Sequence, residues 1–334
     1  MKQTFVTILL LLFVTSTIGQ DIHFSQSHLS PINLNPAETG NYNEDYRVHF
    51  NQRTQWRSIT VPYVTFSASF EAKWTQLNIP GLLSNAIIFN NDKAGDGNFG
   101  TNQVGLSTSY NLPITDSTVI IALGIIPMWN QHSIDYSKFY FDNQYNGYMF
   151  DPGIPVSENF VRQNMQYFDV HAGIRFTKYF NQTPINIGFS VYHINKPRKT
   201  FFKELEVNLD RKFNLYTSTN IALSKQTFLL PQFYWFQQKM LREIYLGALL
   251  HRKTQDFSFK GYYIGGWFRL GDAAILSAGI DYRDVHIAIS YDFNISPLVT
   301  ASNGKGGLEI AIRYVFMNPQ KTILIDKHIC PTFL

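Results

Sequence analysis

Charge is what this chain is short of. Asp, Glu, Lys and Arg make up 16% of its 334 residues, against roughly 25% in ordinary soluble domains. Its surface is therefore not that of a typical water-exposed protein. The signs nearly balance, with 28 basic and 24 acidic residues, which argues against the basic face of a nucleic-acid binder. Cysteine is almost absent. The single copy, Cys330, permits no internal disulfide and reads as a packed thiol in the tail. No internal apolar run supplies the ~20 residues of a membrane-crossing helix, and mean hydropathy is only −0.13. A bundle of membrane helices is thereby excluded. Aromatic residues, in contrast, make up 16% of the chain, a large share to go with so little charge.

What the chain does have is period two. From Val64 to Trp74 the residues Val64, Phe66, Ala68, Phe70, Ala72 and Trp74 alternate with Thr65, Ser67, Ser69, Glu71 and Lys73, the pattern of a strand with two unlike faces. The same beat sets Val104, Leu106, Thr108, Tyr110 and Leu112 against Gly105, Ser107, Ser109 and Asn111. It sets Val170, Ala172, Ile174 and Phe176 against Asp169, His171, Gly173 and Arg175, and Ile287, Ile289, Tyr291 and Phe293 against His286, Ser290, Asp292 and Asn294. Turn-forming residues separate the runs. Strands are expected near 46–52, 63–74, 82–90, 103–112, 119–129, 167–177, 185–192, 213–222, 227–236, 243–250, 257–268, 274–282, 285–291 and 308–314, about 14 in all, an even number as in bacterial outer-membrane barrels. The runs at 119–129 and 243–250 alternate poorly.

The amino terminus has the pattern of a cleaved signal peptide over 1–19: Lys2, an apolar stretch from Phe5 to Val14, then small residues before Gln20. Residues 20–44 form a turn-rich segment at the barrel mouth, its apolar residues Ile22, Phe24, Leu29, Ile32 and Leu34 needing cover. The strands occupy 45–316 as one domain, and 317–334 form a tail. The interruption at 130–165 is rich in Tyr, Asn and Pro.

Alternating strands also build soluble sandwiches. Three features favour lipid. The polar faces carry Ser, Thr, Asn and Gly with few charges. Trp74, Trp129 and Trp235 sit near strand ends, where interfacial girdles lie. Closure removes the aromatic edges that an open sheet would expose. The reading is an all-β antiparallel transmembrane barrel in the cell outer membrane, wide enough to call for a plug or an open lumen.

No motif carries chemistry. "NDKAGDGN" (91–98) lacks the register and distal Glu of a calcium loop and reads as a hairpin turn. The nine histidines show no metal spacing, and His193, just before Pro197, reads as a hydrogen-bonded turn residue. His286 and Ser290 share a face but lie ~13 Å apart along a strand, too far for a base and its nucleophile. Glu71, Lys73, Asp169, Arg175, Glu309 and Arg313 fall on lumen faces, where interior ion pairs fixing the register are the favoured reading over a charged passage or plug socket. The expectation is a protein that is not an enzyme, with no cofactor, no metal site and no nucleic-acid partner.

Several short stretches, in order, resemble the PorP/SprF family of type IX secretion membrane proteins of the Bacteroidetes. They are "FSQ" (24–26), "LNPAETG" (34–40), "NQRTQW" (51–56), "TFSASFEA" (65–72), "NDKAG" (91–95), "VYHINKP" (191–197), "GGWFR" (265–269), "ISYDFNIS" (289–296), "GGLEIAIRY" (306–314) and "CPTF" (330–333). The resemblance implies an outer-membrane component of type IX secretion or gliding motility. Its partners would be other secretion components and exported proteins, such as adhesins, that carry a C-terminal secretion signal domain. A channel for a small solute or lipid is the alternative. Because aromatic residues and Met are enriched at protein interfaces, the partner-binding surface is expected on Tyr136, Phe139, Tyr140, Phe141, Tyr145 and Tyr148, with Met149 and Phe150 beside them.

Overall fold

The computed structural model describes residues 21–58, 61–114, 118–156, 162–181, 183–201, 207–297 and 299–317. The signal peptide, the tail beyond 317 and Cys330 lie outside the described residues. The strands are β1 (Tyr46–Gln55), β2 (Tyr63–Lys73), β3 (Leu82–Ala94), β4 (Phe99–Ile114), β5 (Val119–Ser133), β6 (Asn164–Phe180), β7 (Thr183–Tyr192), β8 (Lys212–Thr219) and β9 (Ile221–Ala222). They continue with β10 (Thr227–Gln238), β11 (Leu241–Lys253), β12 (Phe259–Arg269), β13 (Ala273–Tyr282), β14 (Val285–Asn294) and β15 (Lys305–Phe316). β9 continues β8 past Asn220 along the same edge of β10, so the run expected at 213–222 is one broken strand and the wall has 14 staves.

Every neighbour is antiparallel and sequential, and the sheet closes where β1 meets β15, Tyr46 opposite Phe316 through Gln55 opposite Gly307. Closure leaves no sheet edge for another chain to pair with. The connections fall into two sets. Those at the rim where β1 begins and β15 ends are short, down to the two-residue turn at Arg283. The other rim carries the long connections 56–62, 134–163, 193–211 and 295–304 beside short ones at 95–98, 239–240 and 270–272. Short turns on the periplasmic side and long loops outside are the outer-membrane pattern, so the long-loop rim is the outer one.

Period two sorts the side chains as the sequence implies. Phe50, Phe70, Leu106, Ile174, Phe189, Ile289 and Ile310 are exposed on the outside of the wall, whereas Ser67, Asn90, Ser107, His171, Ser190 and Glu309 are buried on the inside. Trp74 lies just beyond β2 and is exposed. Trp267 points the other way, buried in the lumen against His28, with ring centroids 5.3 Å apart.

The core of the molecule is the lumen, and residues 21–44 fill it. Three helical turns, Ser27–Leu29, Pro31–Leu34 and Pro36–Glu38, compact the segment. From Phe24 to Gly40 every residue except His28 and Asn33 is buried. Leu34 packs with Tyr216, Tyr234, Tyr245, Leu249 and Trp267. Ile32 packs with Ala86, Ile88, Ile126 and Met128, and Leu29 with Ala288 and Ala311.

Candidate functional site

The segment 21–44 and the wall satisfy one another group by group. At the outer end, the Arg53 guanidinium donates to the His23 carbonyl at 2.9 Å. The Ser25 and Gln26 amides donate to the two oxygens of the Glu309 carboxylate at 2.7 and 3.0 Å. Ser25 Oγ donates to Asp292 (2.7 Å), which also accepts from Arg53 and Arg269, each at 2.8 Å. In mid-lumen, Ser190 Oγ and Asn214 Nδ2 donate to the Leu34 carbonyl, both at 2.9 Å, and Asn33 exchanges hydrogen bonds with Asn90. At the inner end, the Gly40 amide donates to Glu71 (3.0 Å) and Arg175 to the Ala37 carbonyl (3.3 Å). Tyr216 donates to Glu38. A buried backbone group without a partner costs about 1–3 kcal/mol, so these side chains are what allow an irregular segment to lie inside a barrel.

This corrects one expectation. Of the six lumen charges singled out in the sequence, only Glu71 makes a close ion pair with the adjacent strand. It lies on β2 opposite Arg47 of β1, with a bidentate contact of 2.6 and 2.8 Å. Glu309, Arg175 and Lys73 instead receive or donate to the backbone of 21–44 or its flank, and Asp169 holds the loop residue His193. Arg313 reaches Asp281 only at 3.9 Å. The set is principally a socket.

"LNPAETG" turns out to be the tightest part of the contact. Asn35 accepts from the Ala37 amide at 2.9 Å and caps the turn Pro36–Glu38, while its Nδ2 donates to the Ile174 carbonyl of β6 at 3.0 Å. The turn chemistry and the wall contact are one device. Gly124 and Gly173 face it. A Cβ on Gly124 would fall on the backbone of Pro36 and Ala37, and one on Gly173 on the Asn35 side chain.

At the outer mouth His193, in the left-handed conformation (φ +58°) just past β7, lies between two carboxylates. Its Nε2 donates to Asp21 at 2.5 Å and its Nδ1 to Asp169. Burial alone would disfavour the charged ring, but the Asp21 and Asp169 carboxylates outweigh it and lift His193 to about 9. Asp21, held by the imidazolium against its own burial, lies far below the usual carboxylate range. Asp169, His171 and His193 are the one grouping among the described residues with three potential metal donors close together. Their hydrogen bonds do not fit a metal. The His193 amide donates to His171 Nδ1 at 3.1 Å, which places the neutral ring's proton on the very nitrogen that would have to ligate. The trio is an ion-paired latch for the start of the lumen segment.

The described part of the outer loop, 134–156, is ordered by its own contacts. Asp135 caps the turn Tyr136–Lys138, Tyr145 bridges to Phe150, and Asn146 accepts from the amides of Tyr148 and Met149 at 3.0 and 2.9 Å. The six expected partner-binding residues divide. Tyr136, Phe139 and Phe141 are half-buried and pack on one another, with Phe139 over Gly97. Tyr140, Tyr145 and Tyr148 are exposed by 80%, 59% and 93%. Below the lumen segment, a vestibule of about 750 Å³ lined by Tyr42, Arg47, Arg175, Tyr179 and Arg313 opens at the inner rim.

A closed antiparallel barrel of 14 staves with an apolar outer wall and a polar lumen is an outer-membrane protein. The family model for the type IX secretion system membrane protein PorP/SprF matches residues 16–314, and the chain belongs to that family. No curated protein matches it. Among solved structures it is similar to the CymD monoaromatic hydrocarbon channel, with a TM-score of 0.51, 10% identity and 90% and 95% of the two chains covered. It is similarly related to the Ralstonia pickettii toluene transporter TbuX, with a TM-score of 0.51, 11% identity and 86% and 93% covered. At that identity the likeness is one of fold.

Proposed function

We propose that this outer-membrane component of type IX secretion is not an enzyme and acts by holding an exported protein at the cell surface, a C-terminally tagged adhesin being the kind of partner implied. Its outer loop is the contact surface and its barrel the anchor. The observation that carries this reading is the pairing of an occupied lumen with an aromatic outer surface. Above the inner-rim vestibule, Arg53, Glu309, Asp292, Ser190 and Asn214, which a conducting pore would leave to water, are here engaged by residues 21–44, and two pockets beside that segment hold only about 20 Å³ each, enough for a single water. Tyr140, Tyr145, Tyr148 and Met149 stand in solvent on a loop ordered without a partner, the arrangement of an interface made in advance.

A solute channel is the competing reading, since CymD is a monoaromatic hydrocarbon channel and TbuX a toluene transporter. The apolar patches of the lumen wall are covered by Leu29, Ile32 and Leu34, and the rest of the wall, with Arg53, Asp292, Glu309, Arg269 and Asn214, is poorly suited to apolar solutes. Gene deletion separates the two. Loss of a specific protein from the surface proteome supports the docking role, and removal of 136–150 should reproduce that loss with the barrel still assembled. A normal surface proteome together with lost uptake of one small solute would establish the channel instead.

A further inference from the structure

On the outside of the wall, just below the outer rim, lies a groove of about 410 Å³ lined by Thr54, Arg57, Ser58, Tyr291, Lys305 and Leu308, with Gly306 at its floor. Its origin is a local irregularity. β14 and β15 pair regularly up to Tyr291 opposite Leu308, and the next pair is Phe293 with Lys305, so Gly306 and Gly307 both face Asp292. The bulge opens the surface beside Gly306, which lies against the Asp292 backbone and carries no side chain to cover the groove, while Gly307 is buried on the inner side toward Gln55 and Arg53. The Trp56 amide donates to the Gly306 carbonyl at 3.2 Å, and the chain then turns away through Trp56 at φ +57°, carrying Arg57 and Ser58 over the groove.

The chemistry of the groove is cationic and one-sided. Lys305 shares the lipid-facing side with its partner Phe293. Segments 54–63 and 293–308 contain Arg57 and Lys305 but no acidic residue, and among the described residues neither cation has a carboxylate partner. Thr54, Ser58 and Tyr291 add hydroxyls. The height is that of the headgroups: Trp56 stands edge-on to Tyr63 at 4.8 Å, and Tyr291 to Phe293 at 4.9 Å, as in the aromatic girdle at a membrane surface. Below the groove the outward strip is apolar, through Ile289, Ile310, Ile312 and Phe50.

We infer that this groove binds the phosphate of an outer-leaflet glycolipid, with an acyl chain lying down the strip beneath. The ligand must be an anion, because two unpaired cations face it. It must be amphipathic, because the site opens sideways into the bilayer plane, where a soluble peptide has no approach. Basic pockets at this depth bind anionic headgroups by the same physics. The inference is independent of which exported protein the loop holds.

The test uses the purified full chain in nanodiscs of phosphatidylcholine doped either with bisphosphoryl lipid A or with the same lipid dephosphorylated, read by native mass spectrometry after detergent extraction. Arg57→Ala/Lys305→Ala is compared with Arg252→Ala/Lys225→Ala, exposed cations at the inner rim, and a retained heat-modifiable shift verifies folding of each. The expected result is retention of the phosphorylated lipid only, weakened on the order of thirty-fold by the outer pair of substitutions and unchanged by the inner pair. Equal retention of both lipids, or equal retention by the wild type and the outer double variant, overturns the proposal. So does displacement of the lipid by an acidic peptide, which would make the site a protein contact.

Discussion

Two irregular segments, 21–44 and 134–156, are built from the same materials and end in opposite places. Both rely on short helical turns capped by side chains, and both are rich in apolar residues. In the first, the backbone groups are met by the wall: Glu309, Ser190, Asn214, Arg175 and Glu71 each reach a main-chain atom of the segment or its flank. In the second, they are met from within by Asp135, Asn146 and Gln144. The difference shows what decides whether an aperiodic stretch is buried. A segment that satisfies its own polar groups can remain at the surface, while one that does not needs a host able to satisfy them.

The contrast breaks most readily at Asp292. Asp292→Ala leaves the buried Arg53 guanidinium without its carboxylate, leaves Arg269 with the carboxylate of Asp272 alone, and removes the acceptor of Ser25 Oγ. It should cost about 3–5 kcal/mol, seen as a lower unfolding temperature of the folded band and as new protease cuts in 21–30. Uncut protein of wild-type stability would show that the socket does not hold the segment. Gly124→Val comes next. Its side chain meets the backbone of Pro36 and Ala37, an overpacking worth about 1–3 kcal/mol. Hydrogen exchange should rise at 35–39 more than in the strands.

Smaller still is the effect of pH on the latch. His193 has a raised value, so its contribution is complete below about 6.5 and fades as pH climbs through about 9. Asp21 has a lowered value and loses its contribution only in acid, below its ordinary range. In a Cys330→Ser background, labelling of a cysteine placed at Ile22, taken relative to a solvent-exposed reference cysteine so that the ionisation of the thiol cancels, should therefore accelerate above pH 9 and remain slow at pH 6. Flat kinetics across that window would remove the ion pair from the account. The smallest effect on stability belongs to Tyr140→Ser/Tyr145→Ser/Tyr148→Ser. Exposed rings contribute within about 0.5 kcal/mol, so melting should not move, while surface display of the exported partner falls. A triple variant that melts early would mean that the loop supports the barrel.

The strand count was legible because lipid outside and polar groups inside impose an unambiguous alternation. The alternation was faint in β5 and β11, though both strands are where they were expected, at the places where the lumen itself is apolar. In β5 the inward residues Gly124, Ile126 and Met128 face Ile32 and Pro36, and in β11 Tyr245 and Leu249 face Leu34. The poor alternation at 119–129 and 243–250 was therefore the imprint of the lumen segment on its wall. Strands β4, β5 and β6 run beyond the expected bounds, to Phe99, Ser133 and Asn164, because above the bilayer no lipid enforces period two. The occupied lumen also bears on any test of the faces. Phe189→Arg on the lipid side should cost roughly 2–4 kcal/mol near mid-depth, but Ser190→Arg is no neutral control, since Ser190 is buried beneath Leu34. The socket roles of Glu309 and Arg175 depended on contacts between residues far apart in sequence, which periodicity does not encode.

The seam between β1 and β15 joins the two ends of the strand set, Tyr46 with Phe316, and such a distant pairing carries the largest loop-closure entropy in the barrel. The lumen segment spans it from within. Its early residues are held by Glu309 on β15 and Asp292 on β14, and its last by Glu71 on β2. The first two dozen described residues thus act as an inner clasp across the seam: parting β1 from β15 would also strain the grip of the segment on β2, β14 and β15.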